Sequence, residues 1–355
     1  MSTDKINLMN LSPAELGEFF VSIGEKSFRS QQILRWVYQF GETDFDKMTN
    51  LRKDLRAKLK ESCVITAPEI VSEQVASDGT TKWALDLGDG QLVETVLIPE
   101  EDRNTLCIST QVGCPVKCSF CRTGAQGFNR NLTVNEIIGQ VFRASTRVGF
   151  SNNQEQKPIS NVVMMGMGEP LDNLDEVMKA LEIMTAQWGY AWSPKRITLS
   201  TVGLKKGLQR FLEESECHLA VSLHAPLPAL RRELMPAERA YSITEIVDVL
   251  RNYDFSHQRR LSFEYIVFKG VNDSVVYAKE LLKLLRGLDC RVNLIRFHAI
   301  PNVDLEGVDV AKMTELRDYL TQHGLFTTIR ASRGEDIFAA CGMLSTAKQE
   351  EINKN

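Results

Sequence analysis

From residue 105 onward the chain alternates between short runs that read as strands and longer runs that read as helices. No other feature of the sequence constrains the fold as much. Strand candidates are 105–110, 161–165, 196–201, 218–223, 262–267 and 291–297, and helix candidates between them include 133–148, 174–188, 244–253 and 275–288. Antiparallel neighbours can be joined by tight turns, whereas parallel neighbours need long crossovers. Strand and helix in repeated alternation therefore predict a parallel sheet faced with helices. Such a sheet can lie open or roll into a full or partial barrel, and periodicity does not choose between them.

Two smaller units precede the alternation. Residues 1–70 read as a helical unit. Ser12-Pro13-Ala14-Glu15 is a helix start: Ser12 caps, Pro13 fits the first turn, and Glu15 can reach back to close a capping box. Leu16, Phe19, Phe20 and Ile23 then share one face. A second periodic stretch is Ile33, Leu34, Trp36, Val37 and Phe40. A third, Leu51, Leu55 and Leu59, carries Arg52, Lys53, Arg56, Lys58 and Lys60. By itself such a basic run is a solvated helix face. Over 71–100 the period falls to two: 82–87 and 91–98 read as strands of a hairpin around Gly88-Asp89-Gly90. The main unit covers 101–345 and is expected to form a core separate from the helical unit. The polar tail 346–355 is expected to fray.

With 43% hydrophobic and 25% charged residues the composition is ordinary for a globular protein. No apolar run reaches the roughly 18 residues of a membrane-spanning helix. The N-terminus lacks the basic stretch and apolar core of a secretory signal, so a cytoplasmic location is expected. The formal net charge of −4 does not draw in nucleic acid globally, so any RNA contact must come from a local basic surface. In such a chain the eight cysteines, unevenly clustered, suit metal or redox chemistry better than disulfide pairing.

Three of those cysteines lie within Cys114-Pro115-Val116-Lys117-Cys118-Ser119-Phe120-Cys121. Three thiolates can hold three irons of a [4Fe–4S] cluster and leave the fourth iron free for a small chelating molecule. Zinc is the competing metal, but a structural zinc site wants four closed ligands and no fourth Cys or His lies nearby in the sequence. One strand later comes Met164-Met165-Gly166-Met167-Gly168-Glu169-Pro170. Its glycines let backbone approach a ligand, and Glu169 can accept hydrogen bonds from an ammonium group.

The C-x3-C-x2-C pattern resembles that of the radical S-adenosylmethionine (SAM) superfamily. The resemblance implies a partial (β/α)6 barrel, a [4Fe–4S] cluster on Cys114, Cys118 and Cys121, and SAM chelating the open iron. An electron from the cluster would then cleave SAM to a 5′-deoxyadenosyl radical. Gly168 and Glu169 look like the superfamily's motif for the SAM amino group.

Further matches narrow the family. Cys107 precedes the cluster loop, and Cys341 lies in Asp336-Ile337-Phe338-Ala339-Ala340-Cys341-Gly342. Gly-Ala-Gln-Gly-Phe-Asn-Arg stands at 124–130, Gly-Met-Gly-Glu-Pro-Leu-Asp-Asn at 166–173, and Ser222-Leu223-His224 after a strand. Together these resemble the RlmN/Cfr family of RNA adenosine methyltransferases over nearly the whole chain. Gly-Ala-Gln-Gly-Phe and Pro170 look like the branch that methylates carbon C2; the sister branch methylates C8 of the same ribosomal adenosine. The C2 branch acts on adenosine 2503 of 23S ribosomal RNA and, in some bacteria, on adenosine 37 of transfer RNAs (RNA numbering).

The resemblance also implies roles. Two SAM molecules serve each turnover. One methylates Cys341, and the radical from the other takes hydrogen from that methyl. The carbon radical adds to C2 and tethers RNA to protein. Cys107 then attacks the Cys341 sulfur, leaving methylated RNA and a disulfide that a thiol reductant reopens. Glu94 matches the family's candidate proton acceptor. Ser200, Ser222, Leu223 and His224 match SAM contacts. His298 stands where an asparagine contact is common, and Arg122 stands where a small residue is common. A monomer is expected, served by an electron donor of the flavodoxin or ferredoxin kind.

RNA phosphates could meet the basic helix of the N-terminal unit, or Arg130, Lys205, Lys206, Arg231 and Arg232 in barrel loops. The target base would have to be flipped outward. Two readings from other classes compete. A radical SAM enzyme acting on another substrate has no need of Cys107 together with Cys341. A non-enzymatic metal module needs a fourth ligand.

Overall fold

The computed structural model describes residues 5–150, 158–255, 260–300 and 303–345; the tail expected to fray, 346–355, lies outside them. Ten strands form one sheet: β1 (Glu69–Val75), β2 (Thr81–Asp86), β3 (Leu92–Pro99), β4 (Asn104–Cys107), β5 (Asn161–Met164), β6 (Ile197–Thr201), β7 (His218–Ser222), β8 (Leu261–Val267), β9 (Arg291–Arg296) and β10 (Thr327–Arg330). Their order across the sheet is their order in the chain. Strands β1 to β4 pair antiparallel and β4 to β10 pair parallel. The two end strands do not pair with each other, so among the described residues the barrel is open.

The alternation is met, with two differences. The parallel part has a seventh strand, β10. Its sequence, Thr-Thr-Ile-Arg, is too short and polar to stand out, because its inward residues face a polar interior. The hairpin does not stand apart from the barrel either. With β1, a third strand that the sequence reading omits, it continues the same sheet.

The two faces of the parallel sheet differ in chemistry, which is the physical origin of the alternating pattern. Leu106, Val162, Ile197, Leu219, Phe263 and Val292 belong to one apolar cluster with Ile137, Val177, Leu208, Val247 and Leu281 of the crossover helices. Each such side chain, fully buried, contributes about 1.5–3 kcal/mol. The opposite face carries a register-matched polar layer of Ser222, Glu264, Asn293 and Thr328. Within it Asn293 Nδ2 donates to Glu264 Oε1 at 2.7 Å, and Thr328 Oγ1 donates to Asn293 Oδ1 at 2.8 Å.

The N-terminal helices are Pro13–Ser22, Arg29–Phe40 and Lys53–Ser62. The capping box forms as expected: Glu15 N donates to Ser12 Oγ, and Ser12 N donates to Glu15 Oε2 at 2.7 Å. The expectation of a separate core fails. Leu16, Phe20, Leu34 and Leu59 join the same apolar cluster as the sheet. The ring of Tyr38 lies 5.4 Å from that of Tyr190, and Arg143 donates to the carbonyls of Pro68 and Ala67. The basic run is largely engaged within the unit. Arg52 pairs with Glu25 at 2.6 Å, Lys58 Nζ donates to the Ile23 carbonyl at 2.6 Å, and Arg56 and Lys60 both hold Asp46. No helix among the described residues is long and apolar enough to cross a membrane.

Candidate active site at the ends of the parallel strands

After β4 the chain leaves the sheet as a ribbon, Gln111–Gly113 paired with Phe128–Asn131. Gly113 has a left-handed φ of 75°, and a Cβ there would lie 1.8 Å from the Gly127 carbonyl oxygen, so glycine is required. The loop that follows places Cys114, Cys118 and Cys121 in the wall of one cavity. Gly168, Glu169, Ser200, Ser222 and His224 complete much of the rest of that wall. The cavity lies at the C-terminal ends of the parallel strands, where barrels of this class carry their chemistry.

Burial, with neighbouring thiols and carboxylates adding to it, pushes the Cys114 thiol up to about 12 and raises Cys118 and Cys121 as well. Three bare thiolates are therefore disfavoured there, and a cationic centre would relieve them. The backbone N–H groups of Val116, Thr123 and Gly124 oppose that rise at Cys114 and Cys121, as is common around iron–sulfur thiolates. Among the described residues no three Cys, His, Asp or Glu groups converge as a single metal ion needs. Thiols spaced around a shared cavity fit a cluster, in which each holds a different iron.

Glu169 is buried. Its carboxylate accepts from Thr201 Oγ1 at 2.6 Å, Val202 N at 2.9 Å and Leu171 N at 3.0 Å. Burial raises its pKa to about 7 against those bonds. Gly168 has φ 103°, and a Cβ would lie 2.6 Å from Gln111 Cβ, so the loop lies directly on the ribbon. The His224 ring is buried edge-on to Phe120, and its Nδ1 accepts from Ile266 N at 3.0 Å. Nδ1 is thus the acceptor and Nε2–H the donor. Burial, reinforced by Arg231, pulls its pKa down to about 3.

Two expected contacts lie elsewhere. Leu223 is fully buried and is not in the cavity wall; its carbonyl accepts from Arg231 Nε at 3.2 Å. His298 lines a second cavity, where its Nε2 meets Ser332 Oγ at 2.7 Å and its Nδ1 lies 3.3 Å from Glu335.

That second cavity also holds Cys107, Cys341 and Arg330. Cys341 and Arg330 line both cavities. Cys107 ends β4, buried, and burial followed by the charge of Cys341 pushes its thiol up to about 12, with Arg330 opposing. Cys341 is exposed, and both are free thiols. Its segment is stitched at both ends. Upstream, Gly334 N donates to Asp78 Oδ2 at 3.0 Å and Ser77 N donates to Asp336 Oδ2 at 2.9 Å, so the β1–β2 turn holds it. Downstream, Arg122 N donates to the Gly342 carbonyl at 2.9 Å and Thr123 Oγ1 donates to the Leu344 carbonyl at 2.8 Å. Glu94 is in neither wall. It pairs with Lys82 at 3.0 Å and accepts from Ser345 N at 2.8 Å, which ties it to the same segment.

One arginine at the site was absent from the sequence reading and another was given a different place by it. Arg330 closes β10, its Nη1 2.9 Å from Met165 Sδ and 3.8 Å from Glu264. Arg231, expected on an RNA-facing loop, is fully buried. Its guanidinium donates to the carbonyls of Val202 at 3.0 Å and Ser222 at 2.9 Å and pairs with Glu238. It therefore fixes the ends of β6 and β7. Arg130 is likewise engaged, with Glu136 and Asp89, while Lys205, Lys206 and Arg232 are exposed.

Residues 6–65 match the ribosomal RNA large subunit methyltransferase N-terminal domain, and residues 108–285 match the radical SAM superfamily. The chain is 62% identical over 351 residues to a Bacteroides fragilis protein named "Probable dual-specificity RNA methyltransferase RlmN", covering 99% of each. It is 60% identical to one of the same name from Bacteroides thetaiotaomicron, covering 99% of each. The crystal structure of a radical SAM methyltransferase from Sphaerobacter thermophilus superposes with a TM-score of 0.88 at 41% identity, covering 96% of this chain and 99% of that one. With the three-thiol cavity, the two further thiols beside it and matches that span the chain, this protein belongs to the RlmN family of radical SAM RNA methyltransferases.

Proposed function

We propose that this chain methylates carbon C2 of adenine in RNA, at adenosine 2503 of 23S ribosomal RNA and adenosine 37 of transfer RNAs, with Cys341 as methyl carrier and Cys107 as resolving thiol. The observation that carries the reading is that Cys341 lines both cavities, with the cluster loop on one side and Cys107 on the other. When bound, a [4Fe–4S] cluster held by Cys114, Cys118 and Cys121, with two SAM molecules per turnover beside Gly168, Glu169, Ser200, Ser222 and His224, supplies an electrophilic methyl and a hydrogen-abstracting carbon radical.

The exposed Cys341 sulfur takes the methyl by polar displacement, for which the thiolate is the competent form. Arg330 stands beside Cys341 and Cys107 and favours the Cys107 thiolate. Loss of a hydrogen atom from the methyl leaves a carbon radical on Cys341, which adds to C2. After the adduct loses one electron, which the oxidised cluster would accept when bound, and the C2 proton, for which Glu94 is the acceptor, the Cys107 thiolate attacks the Cys341 sulfur. The carbon–sulfur bond breaks with its electron pair passing to the methylene carbon and the adenine ring, that carbon takes up one proton to become the methyl the RNA keeps, and a disulfide remains for a thiol reductant. Glu94 accepts from Ser345 N, which ties the proton acceptor to the Cys341 segment. The same reading includes a flavodoxin- or ferredoxin-type donor, a monomer and a cytoplasmic location.

Incubation with methyl-labelled SAM and, separately, 23S ribosomal RNA and transfer RNA fragments tests this, with mass mapping of the product. The label is expected at C2 of adenosine in both. Label at C8, or in neither RNA, overturns it.

A further inference from the structure

We propose that the ring of Phe338 is a stacking shelf for an unpaired nucleobase of the RNA, one flanking the base that reaches Cys341. The inference rests on the RNA-methylating reading above.

Phe338 lies three positions before Cys341, and its backbone is left-handed, φ 54° and ψ 41°. Bulky side chains rarely occupy that region, where glycine or asparagine is favoured. Burial does not explain the residue, since 45% of it is exposed. The chain turns inward immediately afterwards: Ala339 and Ala340 are buried, and Ala339 N donates to the Gly334 carbonyl at 2.8 Å. The segment is thus pinned while the ring stands out from it.

One face of the ring is backed by Arg122, whose guanidinium carbon sits 5.4 Å from the ring centroid. Arg122 directly follows Cys121 and occupies a position where the sequence comparison expected a small residue. The pair therefore bridges the cluster loop and the Cys341 segment, and Arg122 N adds a bond to the Gly342 carbonyl at 2.9 Å.

With a cation over one face and nearly half of the residue exposed, the ring offers aromatic surface to a partner. Aromatic faces of this kind hold unstacked bases in single-stranded nucleic acid, with little regard for sequence. Flipping an adenine toward Cys341 leaves its neighbours without a stacking partner. Phe338 is in the wall of neither cavity, so it meets a base that stays outside rather than the reacting one. The Arg122 charge adds attraction for the adjoining phosphate.

The test uses cluster-loaded enzyme and a fluorescein-labelled RNA hairpin with the target adenosine in its loop and 2-aminopurine at the flanking nucleotide. Phe338→Leu and Phe338→Gly are expected to bind roughly tenfold more weakly. They should also lose the 2-aminopurine quenching and raise KM for RNA, with iron content and RNA-independent SAM cleavage unchanged. Phe338→Trp should restore binding and quenching. Because glycine fits the left-handed backbone, Phe338→Gly should melt no lower than the parent. A Phe338→Gly enzyme that loses stability along with binding would make the ring a structural prop and overturn the shelf, as would parental affinity and quenching in Phe338→Leu. If the parent enzyme neither binds nor methylates ribosomal or transfer RNA, the RNA reading itself fails and the shelf with it; a parent that methylates RNA beside an unaffected Phe338→Leu sinks the shelf alone.

Discussion

Burial keeps the Cys107 thiol protonated, with its pKa near 12, while Arg330 beside it favours the thiolate. A nucleophile balanced in this way suits a step that comes last. Replacing Cys107 with alanine should leave Cys341 able to accept the methyl and join RNA, with no thiol to release it. A covalent protein–RNA species is therefore expected to build up in Cys107→Ala and to be absent when Cys341 is also replaced. A slow band on denaturing gels that disappears on RNase treatment reports it. Normal release of methylated RNA by Cys107→Ala would count against the tethered mechanism. His224 carries a separate, pH-dependent prediction. Its pKa is lowered to about 3 from the ordinary 6.5, so the unfolded chain binds the proton first as pH falls. The stability this site contributes is complete above about pH 6.5 and is lost as pH falls toward 3. Denaturant unfolding across that range should show a flatter pH dependence in His224→Gln than in the parent.

At the scale of elements, the segment from Gly334 to Ser345 depends on groups far away in sequence. Asp78 in the β1–β2 turn holds Gly334 N, and Gly334 packs so closely that a Cβ would lie 2.8 Å from Thr80 Cγ2. Asp78→Ala should loosen the upstream stitch and slow methyl transfer about tenfold, roughly one hydrogen bond to a charged group. Iron content should not change, because the cluster loop is held elsewhere. Single-turnover rates beside iron analysis check this, and an unchanged rate would mean the turn is only a connector. Legibility in the sequence followed this same scale. The cluster loop was legible because its ligands are near one another in the chain and only spacing matters. Arg330 was not, because the four-residue strand β10 that carries it faces a polar interior and lacks an apolar pattern. Arg231 was misplaced because an arginine in a barrel loop looks solvated in sequence. What buries it is a set of strand-end carbonyls, at Val202, Ser222 and Leu223, which only folding brings together. His298 was placed among the SAM contacts by the family match alone, and its contacts with Ser332 and Glu335 put it in the second cavity.

At the scale of the molecule, the helical unit and the barrel share one apolar cluster. Deleting residues 1–66 would expose the Tyr190 face now covered by Tyr38 and remove the carbonyl of Ala67 from its packed setting against Arg143. At about 25 cal/mol per Å² of apolar surface exposed, such a cut costs several kcal/mol. The truncated chain should melt at a lower temperature and load less iron, measured by thermal unfolding and iron content together. Full iron loading at the parental melting temperature would mean that the barrel folds alone.

The strand order has a consequence for how the enzyme is made. Each strand lies beside its immediate predecessor, so a chain emerging from the ribosome can extend the sheet one strand at a time without waiting for a distant partner. Cys114, Cys118 and Cys121 emerge early in that sequence, whereas the stretch that bonds across them through Gly342 and Leu344 emerges near the end. During translation the three thiols are therefore in place well before the segment whose Gly342 and Leu344 carbonyls accept from Arg122 and Thr123 beside them. The segment that carries Cys341 is thus the last part of this site to be synthesised.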